Sequence, residues 1–217
     1  RLDARWTVYA LRGPLSAAAL GVDSRLGIVD PGVLLARLPW VQDAMQNQPL
    51  KQRDPAVVPH FRTAQRFGKV LRRACEDVGV NYIAPNGDVP KVVRAIGRSA
   101  CVFAEAMHGA IAADALRVPW RPLFFSDNID SFKWLDWSRS MRLDYLPRKI
   151  TLPRRATGIR SVLSYRERKR RFADEMQALM QDTREFALSD SAHQAEKIEA
   201  LLFAIERLRK DLRSGAL

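Results

Sequence analysis

The 217-residue chain has no apolar run approaching the roughly 20 residues that a membrane-crossing helix needs, so no such helix is expected within it. No signal peptide is visible either. Cysteine is scarce: Cys75 and Cys101 are the only two, one in a helix-like and one in a strand-like apolar setting. That pattern points to buried thiols in a reducing compartment and argues against a disulfide scaffold. The two cysteines show no metal-ligand spacing, and no residue is assigned as a metal ligand. The 11 glycines never form Gly-x-Gly-x-x-Gly, which removes the dinucleotide fingerprint. No internal repeat is present.

What remains is a chain with 47% hydrophobic residues, enough for a sizeable core, and a formal net charge of +12. The charge is unevenly spread. From Arg148 to Arg171, ten basic residues stand against one acid, Glu167. Such a block suits a phosphate-rich surface (anionic lipid head groups, a diphosphate carrier or nucleic acid) or is simply a solvated face. No nucleic-acid motif appears and only one aromatic residue, Tyr165, stands among the charges, so nucleic acid is not the expected partner.

In chain order, Trp6–Ala10 reads as a strand from its β-branched and aromatic content. It leads through Arg12-Gly13-Pro14 into a helix over Leu15–Leu20, with proline in the first turn and Gly21 as the stop. Arg12, at that junction, is a candidate clamp for a carboxylate or phosphate, or else a surface ion pair. Gly27–Asp30 reads as a short strand before an Asp-Pro turn and the apolar stretch Val33–Leu38. Gln42–Asp54 is polar and aperiodic, as in a loop or linker. Ala56–Phe61 is the next strand, with His60 at its end, and a helix from Phe67 to Val78 follows. Val80–Ala84 is a strand, and Asp88 caps a helix over Val89–Ile96. Ala100–Ala104 is an apolar strand, Ala110–Leu116 a helix and Arg121–Phe125 a strand. After a turn at Ser126–Asn128 comes a helix carrying Phe132, Trp134 and Trp137. Strand and helix thus alternate four times between Ala56 and Met141, the pattern of a parallel, doubly wound sheet. Two helix-like runs close the chain: one carries Phe172, Met176 and Leu179, the other Ile198, Leu201 and Leu208. Together they are expected to form a helical hairpin.

Met107-His108-Gly109 stands at the hinge between the Ala100–Ala104 strand and the next helix. In an open α/β sheet that hinge opens on the crevice where ligands bind. A histidine there can meet an anion and move a proton, or can serve as a cap.

Four motifs carry a resemblance: Tyr9-Ala-Leu-Arg-Gly-Pro-Leu-Ser16 followed by Asp30-Pro31; Val58-Pro-His-Phe61; Ala104-Glu-Ala-Met-His-Gly-Ala-Ile-Ala-Ala-Asp-Ala-Leu-Arg-Val-Pro-Trp120; and Lys133-Trp-Leu-Asp-Trp137. Together they resemble the polysaccharide pyruvyl transferase family, most of all its exopolysaccharide ketal pyruvyltransferases of the succinoglycan type. The resemblance runs from about Tyr9 to Ser140. It implies two Rossmann-like domains in a GT-B-like arrangement: residues 1–52 as the remnant of an incomplete first domain, 53–150 as the second, and 151–217 as the basic segment with the C-terminal helices. A longer protein is therefore expected.

The resemblance also implies an enzyme that transfers pyruvate from phosphoenolpyruvate to a sugar with two free hydroxyls, forming a ketal. Phosphoenolpyruvate is the co-substrate and no further cofactor is expected. His108 is the candidate general acid for the enol carbon. Glu105 is a candidate base, or orients His108 if the strand runs straight. Gly109 and Ala110 offer backbone to the phosphate, His60 opens on the same crevice, and Arg12 and Lys133 are candidate counter-charges. Many members carry arginine two positions before the matching histidine, where this chain has Ala106; Arg12, or a residue outside this sequence, is the alternative for that role. The expected acceptor is a lipid-linked oligosaccharide, at the cytoplasmic face of a membrane that the 148–171 block would touch. A nucleotide-sugar glycosyltransferase of the same architecture, or a non-catalytic basic protein that binds nucleic acid or another anion, are the alternatives.

Overall fold

The computed structural model describes residues 2–3, 5–46, 54–125, 129–153 and 161–215. Its α-helices are α1 (Pro14–Leu20), α2 (Pro39–Gln46), α3 (Phe61–Glu76), α4 (Val89–Gly97), α5 (Met107–Ala115), α6 (Ser131–Ser140), α7 (Ser161–Gln181) and α8 (Ser191–Ser214). The strands are β1 (Ala56–Val58), β2 (Asn81–Tyr82), β3 (Val102–Ala104), β4 (Trp120–Phe124) and β5 (Arg148–Lys149). Two compact units result, neither of them continuous in sequence. One gathers Arg1–Leu35, Asp130–Tyr145 and Ser189–Leu217; the other holds Ala36–Ile129 and Leu146–Leu188.

The second unit is the α/β part expected from the alternating pattern. Its five strands lie in the order β2-β1-β3-β4-β5, and every pairing is parallel. β1 and β3 are wholly buried, which is why they are wholly apolar: a parallel strand covered on both faces has no polar side. Val57, Phe103 and Leu123 of the strands meet Leu71, Ala74 and Cys75 of α3 and Phe172, Met176 and Leu179 of α7 in one core. α5 is buried from Gly109 to Ala115, so its Ala-rich sequence has no polar stripe. The one charged residue in that stretch, Asp114, accepts the Trp120 indole N–H at 3.2 Å.

The first unit is helical. α1 follows Gly13, which has no side chain to cap it, yet its first N–H groups are satisfied from across the unit. Asp136 of α6, fully buried, accepts the N–H of Leu15 at 2.8 Å and of Ser16 at 3.1 Å, and also the Ser16 hydroxyl. A Cβ on Gly13 would lie 2.2 Å from the Asp136 carbonyl oxygen, so only glycine lets α6 approach this closely. α8 buries Ile198, Leu201 and Ala204; the ring of its His193 meets the Ser140 carbonyl at 2.9 Å, and its Asp211 accepts the Tyr9 hydroxyl at 2.6 Å.

Several expectations need correction. Trp6–Ala10 and Gly27–Asp30 do not form strands; a single parallel bridge, Leu11 to Gly27, is all that pairs there. β propensity becomes a strand only where a ladder partner exists, and among the described residues these segments have none. Pro31–Arg37 is a 3-10 helix. The segment expected to be a loop from Gln42 begins inside α2, while 47–53 and the turn at 126–128 lie outside the described residues. α5 starts three residues earlier than expected, so His108 sits in its first turn. The expected C-terminal hairpin is split: α7 belongs to the sheet unit and α8 to the helical one.

Candidate functional site

Parallel pairing of β1, β3 and β4 ends these strands on the same side of the sheet, where an open α/β sheet binds its ligands. The residue just past β3 is Glu105, whose relative exposure is 1%. Its carboxylate accepts the His60 N–H at 2.8 Å through Oε2 and the Phe125 N–H at 3.1 Å through Oε1. One buried carboxylate thus ties together the chain beyond β1, β3 and β4. Charge-assisted bonds of this kind are about twice as strong as neutral ones. The backbone adds to the tie, since the Glu105 and Ala106 N–H groups both donate to the Val58 carbonyl, at 2.9 and 3.2 Å. Above Glu105 lies a cleft of about 440 Å³, whose lining includes His60, Phe61, Arg62, Arg66 and Phe125.

His60 lines this cleft, at the N-cap of α3. Its Nδ1 accepts the Arg62 N–H at 3.4 Å and its ring lies 4.6 Å from that of Phe61. Glu105 is there too, but the strand does not run straight beyond it: β3 ends at Ala104 and α5 begins at Met107, so the Glu105 carboxylate is turned to the ends of β1 and β4. His108 is exposed in the first turn of α5, next to the cleft in sequence but not among the residues that line it.

Gly109 is buried, and a Cβ there would come within 2.8 Å of Val58 Cγ1. Its visible task is to let α5 pack against β1. The N–H groups of Gly109 and Ala110 donate to the Ala106 carbonyl at 2.9 and 3.3 Å. They close the first helical turn, in place of the phosphate contact expected of them.

Arg12 and Lys133 belong to the helical unit. Arg12 pairs through Nε with the buried carboxylate of Asp30 at 3.2 Å, while the exposed Lys133 has its Nζ 3.8 Å from Asp130. The basic block is partly occupied as well. Lys169 pairs with Asp77 at 2.6 Å and Arg171 with Glu175 at 2.9 Å. Arg148 pairs with Glu185, which also neutralises Arg121 on β4. Burial pulls the Arg121 guanidinium below its usual range, and Asp182 at 3.8 Å opposes that pull.

The sequence reading passed over Arg62 and Arg66. Their signal was available: they stand four residues apart just after His60, hence on one face of α3. Asp136, inside the fourth motif, was also missed, because a cap supplied from another helix has no local pattern.

Among the described residues no group of three or more His, Cys, Asp or Glu is placed to hold a metal ion. Among them, too, no helix is long and apolar enough to cross a membrane. Over 154 residues the chain is 42% identical to the succinoglycan biosynthesis protein ExoV of Rhizobium meliloti (strain 1021), a match that covers 71% of this chain and 46% of that protein. The match therefore spans about half the length of that relative. No protein-family model matches the chain, and no solved structure matches it.

Proposed function

Since this chain belongs to the same family as the succinoglycan biosynthesis protein ExoV, we propose that it acts in exopolysaccharide biosynthesis by moving pyruvate from phosphoenolpyruvate onto a sugar as a ketal. The observation that carries this reading is the 42% identity, which includes the stretch from β3 into α5. The cleft at the strand ends supports it, because a carboxylate, a histidine and two arginines converge there. The complete enzyme would set two Rossmann-like domains against each other in a GT-B-like arrangement.

The chemistry balances without an added oxidant or reductant. One proton adds to the methylene carbon of phosphoenolpyruvate, leaving an electrophilic centre at the carbon that bears phosphate. One sugar hydroxyl adds to that centre. The second hydroxyl then displaces phosphate, closing the ketal. Of the two hydroxyl protons, the balance leaves one in the new methyl group and one on the departing phosphate. His108 is the proposed general acid, a role typically worth about 10²- to 10⁴-fold. Glu105 is the proposed positioning residue: it fixes the backbone of His60 and Phe125 that shapes the cleft.

The test uses the full-length protein with phosphoenolpyruvate and a lipid-linked repeat unit, following phosphate release and the mass of the oligosaccharide. Pyruvyl transfer is expected, with His108→Ala lowering it at least about 100-fold. Turnover of a nucleotide sugar in place of phosphoenolpyruvate would replace this reading with glycosyl transfer. An acceptor on a lipid diphosphate carrier would also bring the basic block to an anionic membrane face, where the exposed Arg166 and Arg170 are its contacts. Sedimentation with anionic vesicles should then show binding that weakens with salt.

A further inference from the structure

The cleft over Glu105 holds two arginines to which the proposed reaction assigns no role. Its lip is the first turns of α3, where Arg62 and Arg66 both face the opening. Like charges four residues apart on a helix repel. Among the described residues neither is matched by an acidic partner in an ion pair. Among the described residues of the lining the one carboxylate is that of Glu105, and it already accepts two backbone N–H groups.

What holds the arginines is aromatic. The Arg62 guanidinium lies 5.7 Å from the centre of the Phe61 ring, and that of Arg66 lies 5.6 Å from the centre of Phe67. Stacking of this kind orients a guanidinium yet leaves its N–H fork open. Phe61 is itself 55% exposed, so its ring is open to contact at the lip of the cleft. Two oriented forks, one beside the exposed Phe61 and one beside the half-buried Phe67, suit an organic phosphate: guanidinium N–H groups for the oxygens, rings for the C–H surface of the carbon skeleton.

We infer that Arg62 and Arg66 hold the phosphate-bearing end of a substrate in this cleft. The inference rests on the proposed pyruvyl transfer and deepens it. Phosphoenolpyruvate and a sugar diphosphate acceptor share the chemistry required.

Calorimetric titration of the full-length protein separates the two sources, with phosphoenolpyruvate, a sugar 1-diphosphate and inorganic phosphate as probes at low and high salt. At least one ester binds, more weakly as salt rises, and R62Q/R66Q lowers its affinity at least about tenfold per arginine. The control R72Q/R73Q removes the same charge from the far end of α3 and leaves affinity unchanged. Both pairs are exposed, so unchanged melting curves serve as the check on folding. Binding of phosphoenolpyruvate alone assigns the seat to the donor, and of the sugar diphosphate alone to the acceptor; either supports the inference. Equal affinities in R62Q/R66Q and the parent, or an equal loss in the control, overturn it. If R62Q/R66Q transfers pyruvate with unchanged KM for both substrates, the seat is refuted and the reaction stands. If the esters bind through the arginines but no pyruvate is transferred, the reaction is refuted and the seat stands.

Discussion

Gly109 and Glu105 look alike in sequence, as two residues of one motif around His108, yet they answer to different physics. Gly109 is a packing residue. Adding a methyl group would gain about 1 kcal/mol of helix propensity. It would also drive a Cβ to 2.8 Å from Val58 Cγ1 and 3.0 Å from Val58 Cβ. Val58 is β-branched and sits on a strand, so it has no easy rotamer to escape into. Overpacking of this order costs about 1–3 kcal/mol. Gly109→Ala should therefore lower stability in urea unfolding, and adding Val58→Ala should recover part of the loss through positive coupling. Additive effects would show that α5 has room to move away.

Glu105→Gln should cost more for its size. The amide nitrogen it brings would face either the His60 or the Phe125 N–H, leaving two donors opposed; about 1.5–3 kcal/mol is expected. The thiols make a third case. Burial pushes Cys75 up to about 12 and Cys101 up to about 11, with Glu76 adding to the effect at Cys75. A thiol whose pKa is raised on folding stabilises the fold below its unfolded value. That contribution disappears as pH rises from about 9 through 11 and 12. At pH 8 both thiols should thus react slowly with a disulfide reagent in the native protein, and at once in denaturant.

At the scale of elements, the fourth motif proves to be the cap of the first. Asp136 supplies what Gly13 cannot, and Gly13 is small so that Asp136 can reach. Asp136→Ala should strip the Leu15 and Ser16 N–H groups of their acceptor and leave them buried against α6. A lost cap costs about 0.5–2 kcal/mol, and the loss should appear first as faster hydrogen exchange of those two amides. Unchanged exchange would mean that water replaces the carboxylate. A relation of this kind was not legible beforehand, since it joins residues more than a hundred positions apart. Local signals fared better where the cause was local: Pro14 and Gly21 bound α1, and Asp88 caps α4 by accepting the Lys91 N–H at 3.1 Å. Trp6–Ala10 misled because strand propensity says nothing about whether a partner strand is at hand.

Across the whole chain, the parallel sheet was legible because apolar runs alternating with helical periodicity leave few other arrangements. The cleft was legible in part: His60 and Glu105 stand at strand ends, whereas Arg62 and Arg66 lie in the first turns of α3, ahead of the Phe67 at which the helical periodicity becomes visible. The division into units was not legible, because it depends on which distant segments touch. α7 and α8 are neighbours in sequence with similar apolar spacing, yet Phe172 and Met176 enter the sheet core whereas Ile198 and Leu201 are buried in the helical unit. A truncation after Leu188 should therefore act selectively. It removes α8 with its bonds to Ser140 and Tyr9, and with them much of the buried apolar surface of the helical unit. The sheet unit loses none of its strands, nor α3, α5 or α7. The truncated chain is expected to keep a cooperative unfolding transition and slow exchange in β1, β3 and β4, while the α1 and α6 amides lose protection. Loss of protection in both sets together would show that the two units fold as one.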